Sequence, residues 1–398
     1  MKRFLKRALV ALLVLAAVFY IGGGWYFSNM INEQALDGPS MRASYPGDYN
    51  LNVVSLDAAR IELSAPGGGV PQALMSNGVW GLRWPDGYAR VGDRVVIGDA
   101  PDGTLHVERK DFTLMSGSLP TAGEPAALDV RAYSTELETP LDIQDVSVPG
   151  PLGDYPAWFV AGDRSTWAIV VHGNSMTRMD VMRAVPIFND AGFPVLVPTY
   201  RNDPHAPTDP SGRLQYGVTE WEDLEAAVQY ALDHGATDVI LDGYSMGGGI
   251  VMAFMENSDL AGKVTAIVLD APMLDFGQTV DDNASRETLP VVGLPLPSSL
   301  TAVAKQMTTW RFGLDWQALD YLGVDPGVPT LVFHGTRDLT VPISTSEDLA
   351  QRYPDEVTLV RCQDAGHIAC WNSDPGAYAD RVDSFLKINA PQGALHGR

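Results

Sequence analysis

Val239-Ile240-Leu241-Asp242-Gly243-Tyr244-Ser245-Met246-Gly247-Gly248-Gly249 is the run on which the reading of the fold turns. An apolar, β-branched stretch ends in Gly-Tyr-Ser-Met-Gly, and residues 250–255 continue with an apolar helical pattern. This is a strand, a sharp turn and a helix, with Ser245 at the turn. Such a turn holds its central residue in a strained conformation, and side-chain bulk two residues to either side would clash. Gly243 and Gly247 remove that bulk. The Ser245 hydroxyl is lifted above the sheet, and the N–H groups after it open a helix, where developing negative charge is stabilised. The pattern predicts a nucleophilic serine; the alternative is a Gly-rich strand-to-helix loop without chemistry.

On both sides of the turn, from about 141 to 389, apolar strands alternate with helices. Residues 143–148 and 157–160 read as an antiparallel pair around Pro149-Gly150-Pro151-Leu152-Gly153. Residues 167–171 form a short apolar strand running into His172-Gly173-Asn174-Ser175. Helices are expected at 179–190, 219–234 and 377–388, and further strands at 193–197, 264–269, 330–333 and 357–360. This alternation predicts an α/β fold, a mostly parallel sheet with helices on both faces. Functional groups in such sheets collect at the carboxyl ends of strands. Ser245 follows one strand, Asp338 another in His334-Gly335-Thr336-Arg337-Asp338, and His367 a third in Asp364-Ala365-Gly366-His367. All three fall on one rim, in the chain order Ser, Asp, His.

A serine hydroxyl is a poor nucleophile unless a base takes its proton during attack. His367 is the expected base and Asp338 the group that fixes its tautomer. Asp364 is the rival acid, but it precedes the histidine too closely to lie beneath the ring. Of the seven histidines, His172 and His334 are expected to bond turn backbone and His205 to lie in a polar loop; His106, His234 and His396 have no catalytic context. This chemistry needs neither cofactor nor metal.

Residues 31–140 differ in pattern. Short β-type runs at 49–54, 60–63, 79–84, 88–91, 94–97 and 104–108 are separated by turns, among them Pro85-Asp86-Gly87, Pro66-Gly67-Gly68-Gly69 and Asp99-Ala100-Pro101-Asp102-Gly103. A small, mostly-β accessory domain is expected there, serving as a spacer or a cover on the active site. Residues 1–30 are different again. Lys2, Arg3, Lys6 and Arg7 precede an uncharged run that continues to Glu33, with Trp25 and Tyr26 placed for an aromatic belt. The run suffices to cross a hydrocarbon core of about 30 Å. It predicts a single-pass anchor with a cytoplasmic N-terminus and an extracytoplasmic catalytic domain. The alternative is a signal peptide and a secreted product, but Phe27-Ser28-Asn29-Met30 is a poor cleavage site. A polar tail is expected at 390–398.

The 398 residues carry a formal net charge of −22, with no basic stripe. That charge repels nucleic acid phosphates, so no nucleic acid partner is expected. Cys362 and Cys370, the only two cysteines, bracket His367. They form either a disulfide or two buried thiols.

The segments VVHGN, GYSMGG, HGTRDLTVP and DAGH resemble the α/β-hydrolase superfamily over residues 141–389, most closely its serine-esterase and prolyl-oligopeptidase-like branches. The resemblance implies an α/β-hydrolase fold and an acyl or other small-molecule ester substrate cleaved through an acyl-enzyme. A peptidase, an acyltransferase and a binding module on the same fold are the alternatives. It implies an oxyanion hole from the N–H of Met246 and that of Asn174, with Ser175 as second choice. The long interval 272–329, with its Pro295, Pro297, Met307, Trp310, Phe312 and Trp316, would be a cap over the site, with a helix at 300–312.

Overall fold

The computed structural model describes residues 2–37, 49–66, 70–99, 103–131, 133, 139, 141–289 and 293–390. The turns expected at 67–69 and 100–102, His396 and the tail from 391 lie outside these residues.

Helix α1 (Lys2–Ile31) is continuous and is long and apolar enough to cross a membrane. Phe4, Leu9, Leu13 and Val18 along its first turns are exposed. It passes into a π-helical turn, Asn32–Leu36, whose Leu36 is buried among side chains of the large α/β body. The Leu214 N–H donates to the Leu36 carbonyl at 2.8 Å. Residues 31–37 therefore pack with the α/β body and not with the β region to which the sequence pattern assigned them. The apolar side chain of Leu36 finds a core there, and the pattern gives no direction for it.

The β region is one antiparallel sheet. Its strands are β1 (Leu51–Leu56), β2 (Ile61–Ser64), β3 (Trp80–Trp84), β4 (Gly87–Val91), β5 (Arg94–Asp99), β6 (Leu105–Arg109), β7 (Thr113–Gly117) and β8 (Pro125–Asp129), with a single helical turn α2 (Gln72–Met75). Their order is β5-β6-β2-β1-β8-β3-β4-β7. The pattern does not mark β7 and β8. β7 is a partly exposed edge strand, and β8 begins at a proline and is alanine-rich, so neither alternates strongly. Trp80, Leu82 and Trp84 pack in one core with Val181, Phe188 and Tyr378 of the α/β body.

The second sheet runs β16-β15-β14-β13-β11-β12-β10-β9. Strands β9 (Ile143–Gly150) and β10 (Gly153–Val160) are the antiparallel pair, and β10 also pairs antiparallel with β12 (Val195–Pro198). β11 (Thr166–Val171), β13 (Asp238–Tyr244), β14 (Val264–Asp270), β15 (Thr330–Gly335) and β16 (Val357–Cys362) continue in parallel. β11 is buried along its whole length, as a strand covered on both faces must be. The helix expected at 179–190 is two short ones, α3 (Arg178–Val181) and α4 (Val185–Asp190). Pro186 lacks the N–H of a continuous helix and its ring would meet the carbonyl one turn earlier. α5 (Trp221–Asp233), α6 (Met246–Asn257), α7 (Phe276–Ser285), α8 (Ser298–Phe312), α9 (Ile343–Arg352), α10 (Cys370–Ser373) and α11 (Pro375–Asn389) complete the body. α7 and α8 occupy the interval between β14 and β15, and α8 lies along α1.

Arg109 is fully buried in the β region, where its guanidinium donates to the carbonyls of Ala73, of Leu74 at 3.1 Å and of Gly92 at 3.1 Å. Arg109→Met would take this donor from the buried carbonyls of Leu74 and Gly92, while the Ala73 carbonyl keeps the Ser76 N–H at 3.3 Å. It is expected to cost about 2–4 kcal/mol, read as a lower urea midpoint. An unchanged midpoint would show that the carbonyls do not depend on the arginine.

Candidate active site

Ser245 sits between β13 and α6 with φ 52° and ψ −118°, a strained conformation for a residue with a side chain. A side chain at Gly247 would put Cβ 2.3 Å from the Val171 carbonyl oxygen, so only glycine lets α6 approach β11. One at Gly173 would lie 2.8 Å from the Cβ of Ser245. The loop after β11 therefore runs directly against the serine. Met246 is the first residue of α6, so its N–H has no acceptor within the helix.

The three predicted side chains meet. His367 Nε2 lies 2.9 Å from Ser245 Oγ, and His367 Nδ1 lies 2.7 Å from Asp338 Oδ2. This arrangement suits a neutral imidazole that donates from Nδ1 to the carboxylate and accepts the serine O–H at Nε2. The N–H groups of Thr340 and Val341 donate to the other carboxylate oxygen at 2.8 and 2.9 Å. Burial alone would raise the Asp338 carboxyl, but His367 and His334 outweigh it and hold the group well below the usual carboxylate range. Asp364, the rival acid, is exposed and pairs with Arg337 at 2.8 Å.

His334 does more than bond a turn. It is buried, lies 3.1 Å from the Val341 carbonyl and 2.8 Å from Ser346 Oγ, and stands 3.3 Å from Asp338 Oδ2. His172 does bond backbone, at the Gly173 carbonyl 3.1 Å away, and its Nε2 meets Asp203 at 2.8 Å. Burial would lower its pKa; Asp203 overrides this and raises it. His205 lies in the 200–212 loop with φ 68°.

The Asn174 side chain donates to the Ala35 carbonyl at 3.1 Å and lies 2.8 Å from the Tyr216 hydroxyl, which donates to the same carbonyl at 3.1 Å. Ser175 Oγ donates to Asn174 Oδ1 at 3.2 Å. The chain leaving α1 is thus tied to the loop proposed for the oxyanion hole. Cys362 and Cys370 form a disulfide around the His367 loop. That loop is also held by residues with no local sequence signal. Arg183 donates to the Ile368 carbonyl in that loop and to the Val130 carbonyl in the β region, each at 2.6 Å, and Gln72 of the β region donates at 2.9 Å to the Arg337 carbonyl in the loop that carries Asp338. These residues stand alone in their elements, so only the fold brings them to these loops.

Beside the site, an apolar cavity of about 280 Å³ is bounded by the end of α1, α7 and α8. Among the described residues no group of three or more His, Cys, Asp or Glu side chains is arranged to hold a metal ion.

Asp270, at the end of β14, is fully buried, and neither carboxylate oxygen has a hydrogen-bond partner among the described residues. Burial pushes it up to about 6, against the pull of Arg183, His367 and His334. A raised carboxyl keeps its proton in the folded chain after the unfolded chain has lost it. Its contribution is therefore present at low pH and lost as pH rises from about 4 to about 6. Asp270→Asn is expected to flatten this fall in urea midpoints measured from pH 4 to 7. An identical slope in the variant would remove Asp270 as the source.

The comparisons with known proteins agree with this architecture. The family model of the α/β-hydrolase fold matches residues 297–374. No curated protein sequence matches the chain. The chain is similar to the crystal structure of the esterase Pf2001 of Pyrococcus furiosus, at 18% identity and TM-score 0.51, over 65% of this chain and 97% of that one. A thermophilic esterase from Thermogutta terrifontis matches at 18% identity and TM-score 0.42, over 62% and 98%. Est1E from Butyrivibrio proteoclasticus matches at 16% and 0.44, over 62% and 99%. With its parallel sheet, strand-turn-helix at Ser245 and matched family segment, the chain has the α/β-hydrolase fold.

Proposed function

We propose that the chain is a serine hydrolase that cleaves an acyl ester, held at a membrane by α1 with its catalytic body on the extracytoplasmic side. The observation that carries the reading is the hydrogen-bonded line from Ser245 through His367 to Asp338, at 2.9 and 2.7 Å. Ser245 Oγ attacks the acyl carbonyl as His367 Nε2 takes its proton. Asp338 steadies the imidazolium, and the N–H groups of Met246 and Asn174 receive the oxyanion. The leaving alcohol takes the proton from His367, and water repeats the sequence to free the acid. The apolar cavity beside the site and the fold shared with the esterase Pf2001 favour an ester with an apolar acyl group. The four basic residues ahead of the apolar helix favour a cytoplasmic N-terminus.

Ser245→Ala is expected to abolish labelling by a fluorophosphonate probe and to lower aryl-ester turnover by about 10⁶-fold. Asp338→Asn is expected to lower kcat by about 10⁴-fold, because the imidazole then adopts the wrong tautomer. A folded wild-type protein that neither reacts with the probe nor cleaves esters would overturn the reading.

A further inference from the structure

The cavity beside Ser245 is walled by the same helix that is read as the anchor. Phe27, Met30 and Ile31 of α1, with Ala35 in the turn after it, face Phe276 and Ala284 of α7 across it. It borders the catalytic line at two points. The N–H of Met273 in its wall donates to the Ser245 carbonyl at 2.8 Å, and the N–H of Thr340 donates to Asp338 at 2.8 Å. Beyond Phe27, a second apolar cavity of about 360 Å³ lies between α1 and α8, lined by Val18, Phe19, Gly23, Tyr26 and Leu300. Phe27 lines both. Through their shared Phe27 the two cavities adjoin, between the bare turns of α1 and the residues that bond Ser245 and Asp338.

The helices are fitted to each other here. A side chain at Gly24 would put Cβ 2.7 Å from Val303 Cγ1, so α8 lies directly on the α1 backbone. Arg311 donates to Asn29 Oδ1 at 2.6 Å and stacks over the Trp25 ring at 3.7 Å, and Thr308 donates to buried Ser28 at 3.1 Å. If α1 crosses a bilayer, α8 lies at the level of Trp25 and Tyr26, where aromatic side chains meet lipid headgroups. Trp310, near the end of α8, is 82% exposed, and Leu294, ahead of its start, is 60% exposed. Such bare apolar side chains suit contact with a membrane surface better than with water.

We propose that the substrate is an acyl ester resident in the bilayer, whose acyl chain passes between α1 and α8, past Phe27, to Ser245 without crossing water. This rests on the serine-hydrolase reading above and adds the substrate class and its route. An ester dissolved in water needs no apolar passage alongside a membrane helix. A lipid does, because every methylene of its chain moved into water costs free energy.

The test uses the full chain in phosphatidylcholine vesicles, with 4-methylumbelliferyl palmitate in the bilayer and 4-methylumbelliferyl acetate in solution. Rates are normalised to the fraction of protein labelled by a fluorophosphonate, which corrects for misfolded variants. The palmitate rate is expected to fall in proportion as the ester is diluted with phosphatidylcholine at constant bulk concentration. Ala284→Trp, which narrows the cavity, is expected to lower the palmitate-to-acetate ratio by about tenfold or more. A palmitate rate that follows bulk concentration regardless of dilution would overturn the route. So would an unchanged ratio in Ala284→Trp, in either case with acetate cleavage and labelling intact. Absence of both labelling and cleavage in folded protein would instead strike the serine-hydrolase reading, and the inference would fall with it.

Discussion

The left-handed backbone at Ser245 persists because α6 packs its first turn onto the end of β11. A Cβ at residue 247 would lie 2.3 Å from the Val171 carbonyl, so the approach exists only for glycine. The same approach sets the loop after β11 against the serine, where a Cβ at Gly173 would come 2.8 Å from that of Ser245. Ser245 and the loop after β11 are thus placed by one packing contact between a helix and a neighbouring strand. The strain at Ser245 is held by the buried sheet around it, with the Ser245 N–H donating to the Asp270 carbonyl at 3.0 Å.

Charge at this rim is divided between two kinds of carboxylate. Asp338 faces two histidines and two backbone N–H groups, and is held ionised although its side chain is buried. Asp270, one strand away, is equally buried but lacks hydrogen-bond partners among the described residues, and its proton is retained to higher pH. Burial acts on both in the same direction; the nearby donors decide the outcome. That contrast suits Asp338, and not its neighbour, for stabilising an imidazolium.

The site is enclosed from two directions by parts of the chain outside the α/β body. The β region reaches the loop that carries Asp338 through Gln72 and shares a core with helices of the α/β body. The segment after α1 reaches the loop after β11 through the Ala35 carbonyl. The segment that follows the apolar helix is therefore joined to the loop carrying Asn174 by a hydrogen bond, and displacing it would disturb that loop.

The elements of the α/β body were legible because apolar strands and amphipathic helices repeat with fixed periods, and the rim rule then lines up Ser245, Asp338 and His367. The break at Pro186 was also written in the chain, as a missing N–H, although the periodicity reads through it. Edge strand β7 and alanine-rich β8 were not legible, since partial exposure and small side chains leave no alternation. What the sequence by itself determined is which residue types stand at strand ends, because those follow from local backbone geometry. The tertiary structure alone decided that His334 supports the loop of Asp338 and Arg183 that of His367, that residues 31–37 leave the β region, and that α1 walls the cavity. Each depends on contacts between residues far apart in the chain, and no local period records such contacts.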